Sequence, residues 1–382
     1  MNTRITCLLL FVIAHASATA APKFPLTLYA AGNALTWSPD GKILASSDAQ
    51  TIGGKFVIQL LLWDAVGWGR EPKERITGDF SQLFFIDPDD SNRLGLIFRP
   101  DVGKPSQIGI LNLKRPKDKP RIIGQKNGDP VAQPGSPHWS PDGKQIAFHR
   151  GGEISIVDTV SGDIRHTLNA DKAKKLLKPH PLKPGHFPVG QVAGWSPDGK
   201  YLVTNSRQGI VVFDAKLEKE LFRFDYPRPA PRGAFYITNV AWNPNGTEIA
   251  FSVEDTLGRH ELNFLDMKGL GANGDPKWAS SRFKRKSDRK FTMKDEKGQL
   301  IQVGTTLLAW DPQGRRIAVI RSGKSVIYVY NKGGALLHEL AIKSVLDNKR
   351  PGAQVASLAW SPDGFKIAAK AGRTIRVFKT SK

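Results

Sequence analysis

Short apolar runs, each closed by turn residues, recur along the whole chain. One kind ends at a tryptophan, as in Val240-Ala-Trp242, Leu307-Leu-Ala-Trp310 and Leu358-Ala-Trp360. A second follows a proline and glycine turn, as in Lys144-Gln-Ile-Ala-Phe148 and Lys366-Ile-Ala-Ala369. A third closes on an acid: Leu60-Leu-Leu-Trp-Asp64, Ile154-Ser-Ile-Val-Asp158 and Ile210-Val-Val-Phe-Asp214. A weaker fourth follows in Ile164-Arg-His-Thr-Leu168 and Glu220-Leu-Phe-Arg-Phe224. Runs this short between turn residues predict strands, the first with an aromatic plug at its end.

The turn after the first strand is nearly invariant. Six copies read Trp37-Ser-Pro-Asp-Gly41, Trp139-Ser-Pro-Asp-Gly143, Trp195-Ser-Pro-Asp-Gly199, Trp242-Asn-Pro-Asn-Gly246, Trp310-Asp-Pro-Gln-Gly314 and Trp360-Ser-Pro-Asp-Gly364. Proline fixes φ at one corner, Asp or Asn tolerates the next, and glycine accepts the left-handed conformation. The tryptophans stand 102, 56, 47, 68 and 50 residues apart, so the first interval hides a copy. Ile86-Asp-Pro-Asp-Asp90 fills it, with isoleucine for tryptophan and aspartate for glycine. Seven units of four antiparallel strands predict an all-β, seven-bladed β-propeller. The last unit stops after its third strand, Thr374-Ile-Arg-Val-Phe378, and Phe24-Pro-Leu-Thr-Leu-Tyr29 belongs to no other unit. The N-terminal strand is therefore expected to pair with the last blade and close the ring, removing an exposed edge.

The Trp-Ser-Pro-Asp-Gly-Lys turn resembles the repeat of bacterial WD-repeat and TolB-like propellers over nearly all of the mature chain. Trp63-Asp64 is a literal WD dipeptide, with Phe213-Asp214 and Leu265-Asp266 in the same slot. The Gly-His dipeptide of a full WD repeat is missing, and no Asp-His-Ser-Trp tetrad can be assembled. The resemblance implies the architecture; such propellers include scaffolds, envelope transport components and some enzymes, and fold does not choose among them.

Residues 1–20 read as a signal peptide: Arg4 at the start, an apolar core from Ile5 to Ala16, and Ala18-Thr19-Ala20 as the cleavage site. Cys7, the one cysteine, lies within it, so the mature chain has no disulfide, thiolate metal site or cysteine nucleophile. No second stretch is long enough to span a membrane. Residues 21–382 then form one propeller, and the expected location is periplasmic or secreted, in the cell envelope.

Formal net charge is +21, a field that attracts anions. Three connections carry much of it. A basic insertion at about 268–303, between blades five and six, contains Arg282, Lys284, Arg285, Lys286, Arg289 and Lys290, interleaved with Trp278, Phe283 and Phe291. Residues 171–183 add Lys172, Lys174, Lys175, Lys178 and Lys183; residues 114–126 add six bases against Asp118. The first two run from one blade to the next and would emerge opposite the proline and glycine turns. They are the candidate contact for an envelope protein, with anionic polymer or lipid headgroups as the other partner class. Bases interleaved with aromatics also suit nucleic acid, which the signal peptide argues against as the natural ligand.

Candidate chemistry is sparse. The positions opening the innermost strands are Asn33, Asp79, Ser136, Gln191, Asn239, Thr306 and Gln354, too few acids for a divalent-metal cage. His180 and His186 lie in a proline-broken loop without zinc spacing, and His149, His166, His260 and His338 fall on strands. No nucleophile elbow, Walker loop or dinucleotide fingerprint occurs. The expectation is a non-enzymatic protein with no cofactor or metal. A hydrolase or lyase working at the channel mouth is the alternative in a different class.

Overall fold

The computed structural model describes residues 24–30, 34–52, 55–87, 90–99, 104–126, 129–130, 135–150, 152–176, 191–205, 209–225, 235–255, 260–267, 270, 293–294, 300–301, 305–321, 326–342 and 355–380. They form seven antiparallel sheets arranged as a propeller, plus two small hairpins, Gln125–Lys126 with Asp129–Pro130 and Met293–Lys294 with Leu300–Ile301. Blade one runs Leu35–Trp37, Ile43–Ile52, Lys55–Asp64 and Glu74–Thr77. Blade two, with the degenerate turn, runs Asp79–Asp87, Asp90–Arg99, Gln107–Asn112 and Arg121–Ile123. Blade three is Gly135–Trp139, Gln145–Arg150, Glu153–Asp158 and Ile164–Leu168; blade four is Gln191–Trp195, Tyr201–Asn205, Gly209–Asp214 and Glu220–Asp225. Blade five shows three strands among the described residues, Phe235–Trp242, Glu248–Asp255 and His260–Asp266. Blade six is Thr305–Trp310, Arg316–Arg321, Val326–Asn331 and Leu336–Ala341.

Blade seven has Val355–Trp360, Lys366–Ala371 and Thr374–Lys379 of its own, and its fourth strand is Leu26–Tyr29. The register pairs Leu26 with Val377 and Tyr29 with Thr374. The ring is closed as the sequence predicts, by strand pairing between the two ends of the chain. No described helix is long and apolar enough to cross a membrane.

The core is divided, with one apolar cluster at each seam between blades. The middle strands are covered on both sides by neighbouring blades, so they read as continuous apolar runs instead of alternating ones. The tryptophans lie at these seams, and the second strand of the preceding blade makes room with an alanine. Ala368 shares a cluster with Trp37, Ala147 with Trp195, Ala250 with Trp310 and Ala318 with Trp360. Full burial of one indole is worth on the order of 4 to 5 kcal/mol as an upper figure. The repeated tryptophan is thus the adhesive between consecutive blades.

Candidate functional site

Each Ser-Pro-Asp-Gly turn is a closed hydrogen-bond unit. In blade one the Ser38 hydroxyl donates to Asp40 Oδ1 at 2.7 Å and accepts the Ile43 N–H at 2.9 Å, while Asp40 Oδ1 accepts the Lys42 N–H at 3.1 Å. Blades three, four and seven repeat this through Ser140 and Asp142, Ser196 and Asp198, and Ser361 and Asp363. Gly41, Gly143, Gly199, Gly246, Gly314 and Gly364 all have φ between 64° and 73°, the conformation the turn demands of them. Burial opposes ionisation of Asp40, Asp142 and Asp363, but the serine hydroxyl and turn N–H groups outweigh it and hold each carboxyl below its ordinary value. These aspartates are occupied by their own turns.

The acid ending the third strand does comparable work in the next turn. Asp64 Oδ1 accepts the N–H groups of Val66 and Gly67, and Asp158 those of Val160 and Ser161. Both carboxyls are held below their ordinary values, mainly by these bonds. In all seven blades the residue after the third strand donates its backbone N–H towards the first turn, as in Ala65 to Lys42 O at 2.8 Å and Leu113 to Asn92 O at 2.7 Å. Both sets of turns therefore share one face of the disc, here the turn face.

Adjacent blades are also latched. Trp37 Nε1 donates to Ala359 O at 3.2 Å, Trp195 Nε1 to His138 O at 3.0 Å and Trp360 Nε1 to Ala309 O at 3.1 Å. Each acceptor immediately precedes the tryptophan position of the neighbouring blade. Trp242 and Trp310 bury Nε1 with no hydrogen-bond partner among the described residues. Beside Trp242 a cavity of about 440 Å³ opens on the turn face, lined by Pro197, Asp198, Tyr201, Pro244, Asn245 and Leu270 among others. Trp139 is half-buried at its own seam.

The sequence-predicted basic contacts separate in space. Lys172, Lys174 and Lys175 lie on a helix, Ala170–Leu176, that the strand pattern does not anticipate. Asn169 accepts the Lys172 N–H at 2.9 Å and Ala173 is buried under blades three and four, which fixes the helix start. Topology puts this helix opposite the turn face, as expected. Residues 114–119 differ: they form the turn after the third strand of blade two and lie on the turn face itself. Arg282, Lys284, Arg285, Lys286, Arg289 and Lys290 lie outside the described residues, as do Lys178, Lys183, His180 and His186. Of the channel positions, Asn33 and Gln354 lie outside too; Asp79, Ser136, Gln191 and Thr306 open or flank inner strands, and Asn239 is half-buried beside a bulge.

Three groups at the seams escape the sequence reading. His138 is enclosed between blades three and four; burial, with the nearby His149 adding to it, pushes its imidazole down to about 4, against a hydrogen bond to the Val192 backbone. Lys370, fully buried, donates to Ala30 O at 2.6 Å and Ser47 O at 3.3 Å; burial pushes its amine down to about 7 despite the charge of Asp48. Arg316 ties blade six to blade seven: Nε meets Asp311 Oδ2 at 2.8 Å, Nη2 meets Gly364 O at 2.6 Å, and the guanidinium lies 4.8 Å from the centre of the Trp360 ring. A lysine and an arginine in strands that otherwise read apolar are the one signal that could have pointed to the last two. Among the described residues no group of three or more His, Cys, Asp or Glu could hold a metal ion.

Residues 178–214, which include the first three strands of blade four, match the family model "WD domain, G-beta repeat". The chain is a β-propeller, and one of its blades matches the WD type of repeat. No curated protein matches it. Among solved structures it resembles the β-propeller domain of Cps50 (Swd1) from Myceliophteria thermophila, at 13% identity and a TM-score of 0.61, covering 93% of this chain and all of that one. A chain of the Mitotic Checkpoint Complex matches at 14% identity and a TM-score of 0.57, with both chains covered completely. At such identities the likeness is one of fold.

Proposed function

We propose that this chain is an exported, TolB-like propeller that works as a non-enzymatic, protein-binding scaffold in the cell envelope. The observation that carries this reading is how the repeated chemistry is used. Turn aspartates bind their own turns, tryptophans hold the seams, and the acids after the third strands cap the next turns. What is left over for a partner is surface and charge. The fold supports the same reading, since WD-type propellers are commonly interaction scaffolds and one solved chain of this fold is part of a multiprotein complex. The signal-like segment 1–20 motivates the location, and the +21 charge motivates basic contacts in the insertion and the 170–176 helix.

The test is affinity capture from envelope extract with the chain from Ala21 onward and with a form lacking residues 277–297. A discrete protein retained at high salt by the intact form supports the scaffold, and its loss from the deleted form assigns the contact to the insertion. The charge also favours a second reading, a surface that binds anionic polymer or lipid headgroups. Recovery of heterogeneous polyanions alone, released by salt, would replace the scaffold with that reading.

A further inference from the structure

The turns that follow the third strands differ in sign. In blades one, three and four they begin with Asp64, Asp158 and Asp214; in blade two the position holds the neutral Asn112. Asn112 still does the local work, accepting the Lys114 N–H at 2.9 Å. Over the next nine residues the chain places Lys114, Arg115, Lys117, Lys119 and Arg121 against Asp118 alone, leaving +4. All five bases are exposed.

This segment is held in shape. Arg115 N–H bonds Asn112 O at 2.9 Å and Asp118 N–H bonds Arg115 O at 3.0 Å. Arg121 then crosses to blade three, donating from Nη1 to Val160 O at 3.2 Å and from Nη2 to Thr159 O. Gly124 N–H bonds Gly162 O at 2.9 Å across the same seam. Burial, with the charge of Arg93 adding to it, lowers the pKa of the Arg121 guanidinium, while Asp158 pulls the other way. The fold keeps the guanidiniums of Arg121 and Arg93 close enough to repel at the foot of a basic turn, a positive field that favours an approaching carboxylate. Val160, two residues past the turn acid Asp158 and itself offering one of the carbonyls that take Arg121, is 76% exposed, the highest exposure of any large described hydrophobic residue. One exposed valine means little by itself. Set beside the Arg121 guanidinium, it supplies an apolar contact that a bare polyphosphate or polysaccharide could not use.

We propose that the blade-two turn 114–121, with Val160 of blade three, is a docking surface for an acidic protein segment that carries an apolar residue among its carboxylates. The proposal rests on the scaffold reading, and it places a contact on the turn face, apart from the 170–176 helix. The carboxylates would engage Lys117, Lys119 and the guanidinium of Arg115, with the apolar side chain against Val160.

The experiment uses the chain from Ala21 onward and two fluorescent probes, a peptide of alternating glutamate pairs and leucine, and linear polyphosphate. Wild type should bind the peptide; Lys117→Glu with Lys119→Glu should weaken it at least tenfold, and Val160→Ser about threefold, each with an unchanged melting temperature. Lys172→Glu with Lys174→Glu, and deletion of 277–297, should leave peptide binding within twofold of wild type. Loss of binding only on deletion of 277–297 would overturn this surface and leave the scaffold standing. Equal binding by wild type and the Lys117, Lys119 variant, or no peptide binding at all, would also overturn it. Insensitivity to Val160→Ser with tighter binding of polyphosphate would make the patch a polyanion site and sink the proposal for a protein segment.

Discussion

The seam between blades seven and one and the seam between blades four and five are built from the same turn and are held differently. At the first, Trp37 packs in a cluster with Ala368, reaches Ala359 O through Nε1, and meets Trp68 edge-on at 5.7 Å between ring centres. Phe24 adds a further edge contact to Trp68, and Lys370 spans the seam to Ala30 and Ser47. At the second, Val203 stands where blades one, three, five, six and seven place alanine, Trp242 Nε1 has no partner among the described residues, and the cavity opens beside it. The repeat fixes the turn and brings the indole to the seam. Whether the indole locks is decided by residues outside the motif.

The closing seam should therefore be the one whose loss the ring least tolerates. Deleting residues 23–29 removes Leu28, which is fully buried, and exposes the whole edge of Thr374–Lys379. We expect destabilisation on the order of 5 kcal/mol or more, from lost apolar burial and the seam contacts that depend on it. Aggregation through the freed edge should follow. Thermal unfolding with size-exclusion chromatography reads both; unchanged melting and a monomeric profile would show that the strand is an ornament and the seam closes without it.

Lys370 sharpens the contrast, because no comparable buried cation is described at the seam between blades four and five. Its amine has an ordinary pKa near 10.5 and one of about 7 in the fold. Between those values the unfolded chain holds the proton and the folded chain does not, so stability contributed by this group rises with pH from about 7 to about 10. Below 7 both states carry the proton and the slope vanishes. At about 1.4 kcal/mol per unit, the span is about 3 to 6 kcal/mol. Urea denaturation of wild type and Lys370→Met at several pH values isolates it: the difference should move in favour of wild type as pH rises. A difference that stays flat between pH 7 and 10 would mean that the amine keeps its proton in the fold, paired with Asp48.

Blade number, turn geometry and ring closure were legible because local chemistry dictates them. Pro39 and Gly41 make a turn whatever surrounds them, and the degenerate copy around Ile86 could be found from its spacing alone, although the register sets Phe85 and not Ile86 opposite Leu94, the place tryptophan takes in the other blades. Side-chain direction near the channel was less legible. Six inner strands carry a register shift, such as those between Val192 and Gly194 and between Thr305 and Leu307, so alternation changes face within the strand. The face on which the third basic connection lies was not legible for a related reason. Residues 114–126 look like another long basic linker, yet the outer strand Arg121–Ile123 divides them and leaves 114–119 on the turn face. Seam contacts such as Arg316 to Gly364 depend on which blades meet, which no single repeat records.

The smallest expected effect tests the latch directly. Replacing Trp37 with Phe removes the bond to Ala359 O, leaves that carbonyl without its donor, and shrinks the contact with Trp68. Replacing Trp242 with Phe removes a buried N–H that has no acceptor among the described residues, which offsets part of the lost packing. The two truncations are chemically identical, so loss of indole area largely cancels between them. The remaining difference should be about 1 kcal/mol against Trp37→Phe, the net worth of one buried hydrogen bond. Paired urea midpoints at constant slope measure it. Equal costs would mean that Nε1 does not distinguish the seams, and that the tightness of the closing seam comes from Phe24, Trp68 and Lys370 alone.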